Sequence, residues 1–474
     1  MLARELQGGV HPRYAGWMHR PATAADPAEL AAFLAANPGV EFLDVHYTNL
    51  AGVPRGKRLR AHEFAAAFEN GRFLPGSILV VDITGLDVEE SGMVWEDGDA
   101  DRVGWPVPGT LARAPWLGAD SADVMLSMHE LDGRACDLDP RQVLRNVLAR
   151  FAADGLTPVV ACELEFYLLD ERRTRDGGIR LPRGADGQRS GHRQVYGLDS
   201  ADLDGEYLRD LWTACDALGL PTGAAIGEYA AGQYEVTLAH KPDALAAADD
   251  AVRLKRAAKG VAARHRRTAT FMAKPFAEVS GSGLHIHVSV LDRAGRNIFA
   301  SDAPEGSAAL GHAIGGCANL MPASIAVFAP NANSYRRFKP NSYAPVRAGW
   351  GVNNRTVPLR VPVGPVEGRH LEHRLSGADA NPWLAVASVL AGVHHGLTHR
   401  IDPGPPVTGD GQTTGERLPT DWAHALALFE GSRLLADYWG GRAAEMFATV
   451  KRVEADRYNA VVTPLDYDWV LRSA

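Results

Sequence analysis

An α+β fold with a mostly antiparallel sheet is the class that this 474-residue sequence predicts. Three observations lead there. Long helical stretches alternate with scattered strand-like runs. Several of those runs carry charged or imidazole side chains on alternate residues, the period of a strand with one dry face and one polar face. With 46% hydrophobic residues the chain can bury a large core, and its length suits two domains or more.

Residues 26–36, DPAELAAFLAA, predict a helix with Asp26 as N-cap and Pro27 at its first position, where the missing N–H does no harm. The strand-like FLDVHYTNL, the turn AGVPRGK, a second β run SILVVDITG and a Pro/Gly-broken segment through PVPGTL follow. They make a small β-rich region over residues 1–136. In CDLDPRQVLRNVLARFAADG, Val143, Leu144, Val147, Leu148 and Phe151 share one side of a capped amphipathic helix, which opens a larger domain over 137–474. ACELEFYLL, EYAAGQYEVTL, TATFMAKPFA, LHIHVSVL, TVPLRVPV and LEHRL supply its strands; residues 240–266, 380–399 and 422–458 supply its helices. The charged, glycine-rich stretch 171–198 predicts a mobile surface loop.

The chemistry sits on the strands. Glu163 and Glu165 face one way while Cys162, Leu164 and Phe166 face the other; His285 and His287 oppose Leu284, Ile286 and Val288 in the same manner. Glu372 and Arg374 share a face of LEHRL, and EYAAGQYEVTL adds Glu228 and Glu235. Between those two glutamates, Gly232 and Gln233 predict backbone shaping rather than catalysis. A single Glu-x-Glu pair is usually a solvated face. Five carboxylates with histidine and nearby arginines instead suit divalent cations holding a phosphate-bearing substrate, because hard cations prefer oxygen ligands and arginine forks match phosphate.

Other classes are disfavoured. A net charge of -8 gives no basic field for nucleic acid. The first residues lack the apolar core of a signal peptide, and no run of about 18 apolar residues is expected to span a bilayer. A cytoplasmic protein is predicted. Cys136, Cys162, Cys215 and Cys317 are far apart and predict buried thiols rather than disulfides or a zinc site.

KPFAEVSGSGLHIHVS (274–289), NSYRRF (333–338), NNRTVPLRVP (353–362) and LEHRLSGADANPW (371–383) resemble, in order, signature segments of the glutamine synthetase superfamily. The resemblance runs from about Glu41 to the C-terminal helices. It implies an N-terminal β-grasp domain followed by a catalytic domain with a curved antiparallel sheet flanked by helices. It also implies a homo-dodecamer of two stacked hexameric rings with active sites between neighbouring subunits. Carried over by residue, it assigns Glu165, Glu228 and Glu235 to one Mg2+ or Mn2+ ion and Glu163, His285 and Glu372 to a second, with two or three ions per site. Arg355 and Arg360 fall at the transferring phosphate and nucleotide, and His287 and Ser289 at ATP. Arg337, Arg374, Gly281 and Ser280 fall at the amino-acid substrate and its acyl phosphate.

Departures from the family pattern guide the substrate. True glutamine synthetases build an ammonium pocket from an aspartate and a flap glutamate; FLPGSIL here puts Pro75 at the first position and FKPNSYAP puts Tyr343 at the second. A pocket without those carboxylates holds and deprotonates ammonium poorly, and suits an amine with a carbon chain. The resemblance therefore implies an ATP-dependent ligase joining the γ-carboxylate of glutamate to ethanolamine or another alkylamine or polyamine, with Arg355, Arg374 and Tyr343 as its catalytic set. No acid is identified for a second ammonium, so ethanolamine is preferred to putrescine. Ser280 replaces an asparagine that contacts glutamate in the family, which weakens that contact. The rivals are glutamine synthesis from ammonia and a catalytically silent regulatory relative that binds nucleotide or glutamate.

Overall fold

The computed structural model describes residues 19–184, 186–189, 191, 195–339 and 342–474. Most of the chain start and Pro340 and Asn341 of the flap lie outside the described residues. Two sheets organise the rest. The first contains β1 (Phe42–Thr48), β2 (Pro54–Arg60), β3 (Arg72–Pro75), β4 (Asp101–Pro106), β5 (Ala112–Arg113) and β6 (Ser121–His129), in the order β2-β1-β6-β4-β3 with β5 on β6. Strands β1 and β6 run parallel. Helices α1 (Pro27–Ala36) and α2 (Phe64–Asn70) accompany it, and α1 starts as predicted, with the Asp26 carboxylate accepting from the Ala28 N–H.

Two predictions fail in this region for local reasons. SILVVDITG forms a 3-10 turn at Gly76–Leu79 and a loop instead of a strand. The Asp82 carboxylate accepts from the N–H groups of Thr84 and Leu86 at 2.8 and 2.9 Å, offering the backbone an alternative to a ladder. AGVPRGK is mostly strand rather than turn, because Pro54 needs no ladder donor at the first residue of the edge strand β2.

The second sheet comprises β7 (Thr157–Asp170), β8 (Thr222–Gly227), β9 (Gln233–Leu238), β10 (Arg267–Thr270), β11 (Leu284–Leu291), β12 (Trp350–Val352), β13 (Leu359–Val361) and β14 (Leu371–His373). Its order is β12-β13-β14-β11-β7-β9-β8, with β10 on β7. The β12–β13 pair is parallel and the other pairs of this sheet are antiparallel, in keeping with the mostly antiparallel sheet expected. Its back is dry as the alternation predicts. Cys162, Leu164, Phe166, Leu284, Ile286 and Val288 are all 0% exposed. All four cysteines are free and buried.

The helices are α3 (Pro140–Ala153), α4 (Leu198–Leu203), α5 (Gly205–Ala217), α6 (Ala244–Arg264), α7 (Ala308–Phe328), α8 (Pro382–His399), α9 (Trp422–Gly431), α10 (Arg433–Trp439), α11 (Gly441–Asn459) and α12 (Pro464–Val470). Helix α3 buries Val143, Leu144, Val147 and Phe151, as its period predicts. The helix predicted over 422–458 is three, broken at Ser432, which caps α10, and at Gly440, whose φ of 97° is open to glycine. Helix α7 was not anticipated. It is apolar and long enough to cross a membrane, contrary to the expectation that no such stretch exists, yet it is largely buried among α8 and α9. Gly316 permits that approach, since a Cβ there would stand 2.1 Å from the Gly392 carbonyl oxygen. In the described part of 171–198, Ile179 and Leu181 pack on Tyr167 and Leu169, and Asp170 pairs with Arg189 at 2.5 Å.

Ile286 carries the dry face between two histidines, so Ile286→Ala is expected to lower stability by about 2–5 kcal/mol, against about 1 kcal/mol for Ile286→Val. Urea unfolding checks this. Equal midpoints for the two variants would contradict the packing assigned to that face.

Candidate active site

Register assembles the polar face. Strand β11 lies between β14 and β7, and β9 follows β7. The facing residues are His287 with Glu372, His285 with Glu163, and Glu165 with Glu235. Directly opposed residues on neighbouring strands project to the same side, so pairs far apart in sequence become one patch. Arg360 on β13 extends it by facing Glu372.

Contacts within the patch are short. Glu163 lies between two imidazoles, its Oε2 3.1 Å from His285 Nδ1 and its Oε1 3.2 Å from His287 Nε2. His285 also stands 3.9 Å from both Glu165 and Glu372. Glu372 accepts from Arg360 Nη1 at 2.7 Å and from Arg374 Nη1. Thus two arginines expected at phosphate and substrate meet on one carboxylate. Glu165 accepts from neutral donors, the Gly283 N–H at 2.8 Å and the Gln233 amide at 3.1 Å. Glu228 follows the end of β8, tied by its N–H to the Gln233 carbonyl oxygen at 2.8 Å.

The remaining expected residues lie around this cluster. Arg337 is buried and donates to the Leu375 carbonyl oxygen at 3.0 Å. Gly281 lets its backbone approach, because a Cβ there would stand 2.6 Å from Arg337 Cγ and 2.5 Å from the Ala273 carbonyl oxygen. The Ser280 hydroxyl is buried without a hydrogen-bond partner among the described residues, while its carbonyl accepts from the Tyr167 hydroxyl at 2.6 Å. Ser289 sits on β11 opposite Val159, beyond His287. Arg355 is exposed but close enough to interact with Glu228. Tyr343 is 62% exposed, and Pro75 lies on the other sheet, opposite Asp101.

The profile of the glutamine synthetase catalytic domain matches residues 137–470. The chain belongs to the glutamine synthetase family. Within it the similarity runs to the γ-glutamylamine branch. Gamma-glutamylputrescine synthetase PuuA of Escherichia coli (strain K12) is 37% identical over 449 residues, 94% of this chain and 95% of that one. Gamma-glutamylethanolamide synthetase GlnA4 of Streptomyces coelicolor is 32% identical over 449 residues, 94% of each chain. Among solved structures, apo GmaS without ligand superposes with a TM-score of 0.81 at 30% identity, covering 94% of this chain and 99% of that chain.

Four residues at the site of this glutamine synthetase relative escaped the sequence reading. Gln233 does more than shape the backbone: its buried amide bridges Glu165 and the Gly281 carbonyl oxygen at 3.0 Å. Its alternation with Glu235 on β9 was the available signal. Gly232, with φ of 71°, bears out the shaping role. The Gly283 N–H carries no side-chain pattern that would announce it, whereas the ring of His370, which meets His287, alternates with Glu372 and Arg374 in HLEHR. Tyr229 places its ring against Tyr343, centroids 6.2 Å apart.

Charge is unevenly balanced across the patch. Burial raises the Glu163 carboxyl, but the imidazoles of His285 and His287 beside it outweigh that effect and hold the group well below the carboxylate range. Glu372 is also buried, yet Arg374, His285, His287 and Arg360 bring it down to about 2. At the other end burial and then repulsion from Glu165 push Glu228 up to about 7. Burial and repulsion from Glu163, Glu165 and Glu228 push Glu235 up to about 9. Ligand atoms of Glu163, Glu235 and His285 lie within 4.8 Å of one another, as do those of Glu163, His287 and Glu372. These triads divide the residues differently from the two sets the resemblance implied. Acids short of positive charge beside a buried imidazole fit a divalent cation, which would take the place of their protons.

A pH dependence follows. Glu228 and Glu235 have folded values above the ordinary 4.5, so the stability they contribute is complete below 4.5 and is lost as pH rises through about 7 and about 9. Glu163 and Glu372 act in the opposite sense, only in acid. Added Mn2+ is expected to raise the melting temperature by an increment that grows between about pH 6 and pH 9, with proton release on binding. Calorimetry in buffers of different ionisation enthalpy counts those protons. A pH-independent increment without proton release would contradict the charge balance described.

Proposed function

We propose that the protein is an ATP-dependent ligase joining the γ-carboxylate of glutamate to an amine, with ethanolamine the preferred amine. The observation that carries this reading is the flap. Tyr343 stands where the family resemblance expects an ammonium-binding glutamate, and its ring meets Tyr229, the residue after Glu228. Two aromatic rings offer an apolar wall to a carbon chain and no formal charge to hold ammonium. The amines named in the γ-glutamylputrescine and γ-glutamylethanolamide relatives support the same class. Identity to the first favours putrescine; the lack of an assigned acid for a second ammonium favours ethanolamine.

The chain's residues divide the work. Arg337 and Arg374, with the Ser280–Gly281 backbone, orient glutamate, while Arg355 and Arg360 hold the transferring phosphate and nucleotide, and His287 and Ser289 lie where ATP binds. Divalent cations, bound by Glu163, Glu165, Glu228, Glu235, His285 and Glu372, supply positive charge that draws electron density off the γ-phosphate. A γ-carboxylate oxygen of glutamate attacks the γ-phosphorus of ATP, the bond to ADP breaks, and γ-glutamyl phosphate forms. The amine nitrogen then attacks the acyl carbon, the carbon–oxygen bond breaks and phosphate leaves. Tyr343 is the candidate to take the nitrogen's proton.

The assembly belongs to the same proposal. Pro75 lies on a different sheet from the acidic patch, which suits an amine pocket completed by the N-terminal sheet of a neighbouring subunit in a dodecamer of two hexameric rings. The mixed N-terminal sheet supports a β-grasp domain over 1–136, and the start of the profile match at residue 137 supports a catalytic domain over 137–474. ATP and glutamate as substrates favour the cytoplasm.

Phosphate release and product mass with ammonium, ethanolamine and putrescine test the proposal, with Glu163→Ala as the inactive control. Ethanolamine is expected to exceed ammonium in kcat/KM by about tenfold or more. Faster turnover with ammonium would mean glutamine synthesis, and no phosphate release with any amine would mean a silent relative. The double substitution Pro75→Asp with Tyr343→Glu is expected to shift selectivity toward ammonium by about tenfold. An unchanged ratio would refute the pocket assignment.

A further inference from the structure

His370, just before β14, reaches the patch through His287. Its Nδ1 is 2.7 Å from the Gly368 carbonyl oxygen, and its Nε2 is 3.0 Å from His287 Nδ1. A carbonyl oxygen only accepts, so His370 Nδ1 carries a hydrogen, and the Nε2 of a neutral ring is then a lone pair. His287 must donate to that lone pair from its own Nδ1, so in a neutral His287 ring Nε2 is the bare nitrogen. This nitrogen is buried, makes no hydrogen bond among the described residues, and stands 3.2 Å from Glu163 Oε1. A lone pair facing a carboxylate is repulsive unless a cation takes both. Glu372, opposite His287 in the ladder, brings a third ligand atom, all three within 4.8 Å of one another.

We propose that His370 is a positioning residue that fixes the Nε2-bare tautomer of His287 and so makes His287 a ligand of a divalent cation shared with Glu163 and Glu372. The proposal deepens the cation use in the ligase reading and is independent of the amine. A second-sphere partner of this kind holds ring orientation and tautomer, and its loss weakens metal binding by about tenfold to a hundredfold.

Mn2+ titration of the full-length protein, followed by electron paramagnetic resonance with resolution of imidazole nitrogen couplings, tests it without substrates. The wild-type protein is expected to show coupling from two imidazoles, His285 and His287. His370→Ala is expected to lose one coupling and weaken one class of site by about tenfold to a hundredfold, leaving the other class unchanged. His370→Gln, whose amide oxygen can accept from His287 Nδ1, is expected to stay within about threefold of wild type. A single imidazole coupling in the wild-type protein, unchanged affinity in His370→Ala, or equal losses in the Ala and Gln variants would each overturn the proposal. Turnover with ammonium alone would overturn the amine assignment and leave this one standing.

Discussion

Repulsion among carboxylates gathered on one side of a sheet is the constraint around which the site is built. Two like charges about 4 Å apart at a protein surface repel by about 4 kcal/mol, enough to empty the patch unless something intervenes. The chain answers differently at each acid. Glu163 receives two imidazoles, Glu372 two guanidiniums, and Glu165 only neutral donors from Gln233 and Gly283. Glu228 and Glu235 receive least and are the groups whose protons are held most tightly. The uneven distribution makes the β8–β9 end the part of the patch most in need of added positive charge.

Such crowding persists only on a stiff support. The strands hold the acids through side chains on their opposite face, where Leu164, Phe166, Ile286 and Val288 are fully buried. Because the two faces alternate along the same backbone, a slip of one residue in β11 would bury His285 and His287 and expose that core. The dry face therefore enforces the register that brings His285 to Glu163. The Gly281 backbone against Arg337 serves the same end from the loop side, where a side chain would push the guanidinium away.

What the sequence disclosed follows from what local period can carry. Alternation needs no knowledge of partners, so the polar sets on β7 and β11 were legible, as were the capped helices α1 and α3. Pairings across strands were not. Arg374 shares a face with Glu372 within LEHRL, but Arg360 reaches Glu372 only because β13 and β14 are neighbours, and nothing in NNRTVPLRVP specifies that. The strand expected in SILVVDITG failed because Asp82 captures nearby N–H groups. Helix α7 was passed over because its glycines, alanines and Pro322 leave no polar stripe, the signature of an interior helix without a solvent face.

The convergence on Glu372 bears on how one residue serves both cation and substrate. An ionised carboxylate has about four lone-pair directions, and the two arginines occupy one on each oxygen. Lone pairs remain for a cation shared with Glu163. Each guanidinium in turn has about five donors, and the Nε of both Arg360 and Arg374 is buried without a hydrogen-bond partner among the described residues. Both therefore keep unused donors while paired to Glu372. An arriving phosphate or carboxylate can be gripped without breaking the pair, so the ion pairs that hold Glu372 in place also hold the arginines ready for an anionic substrate.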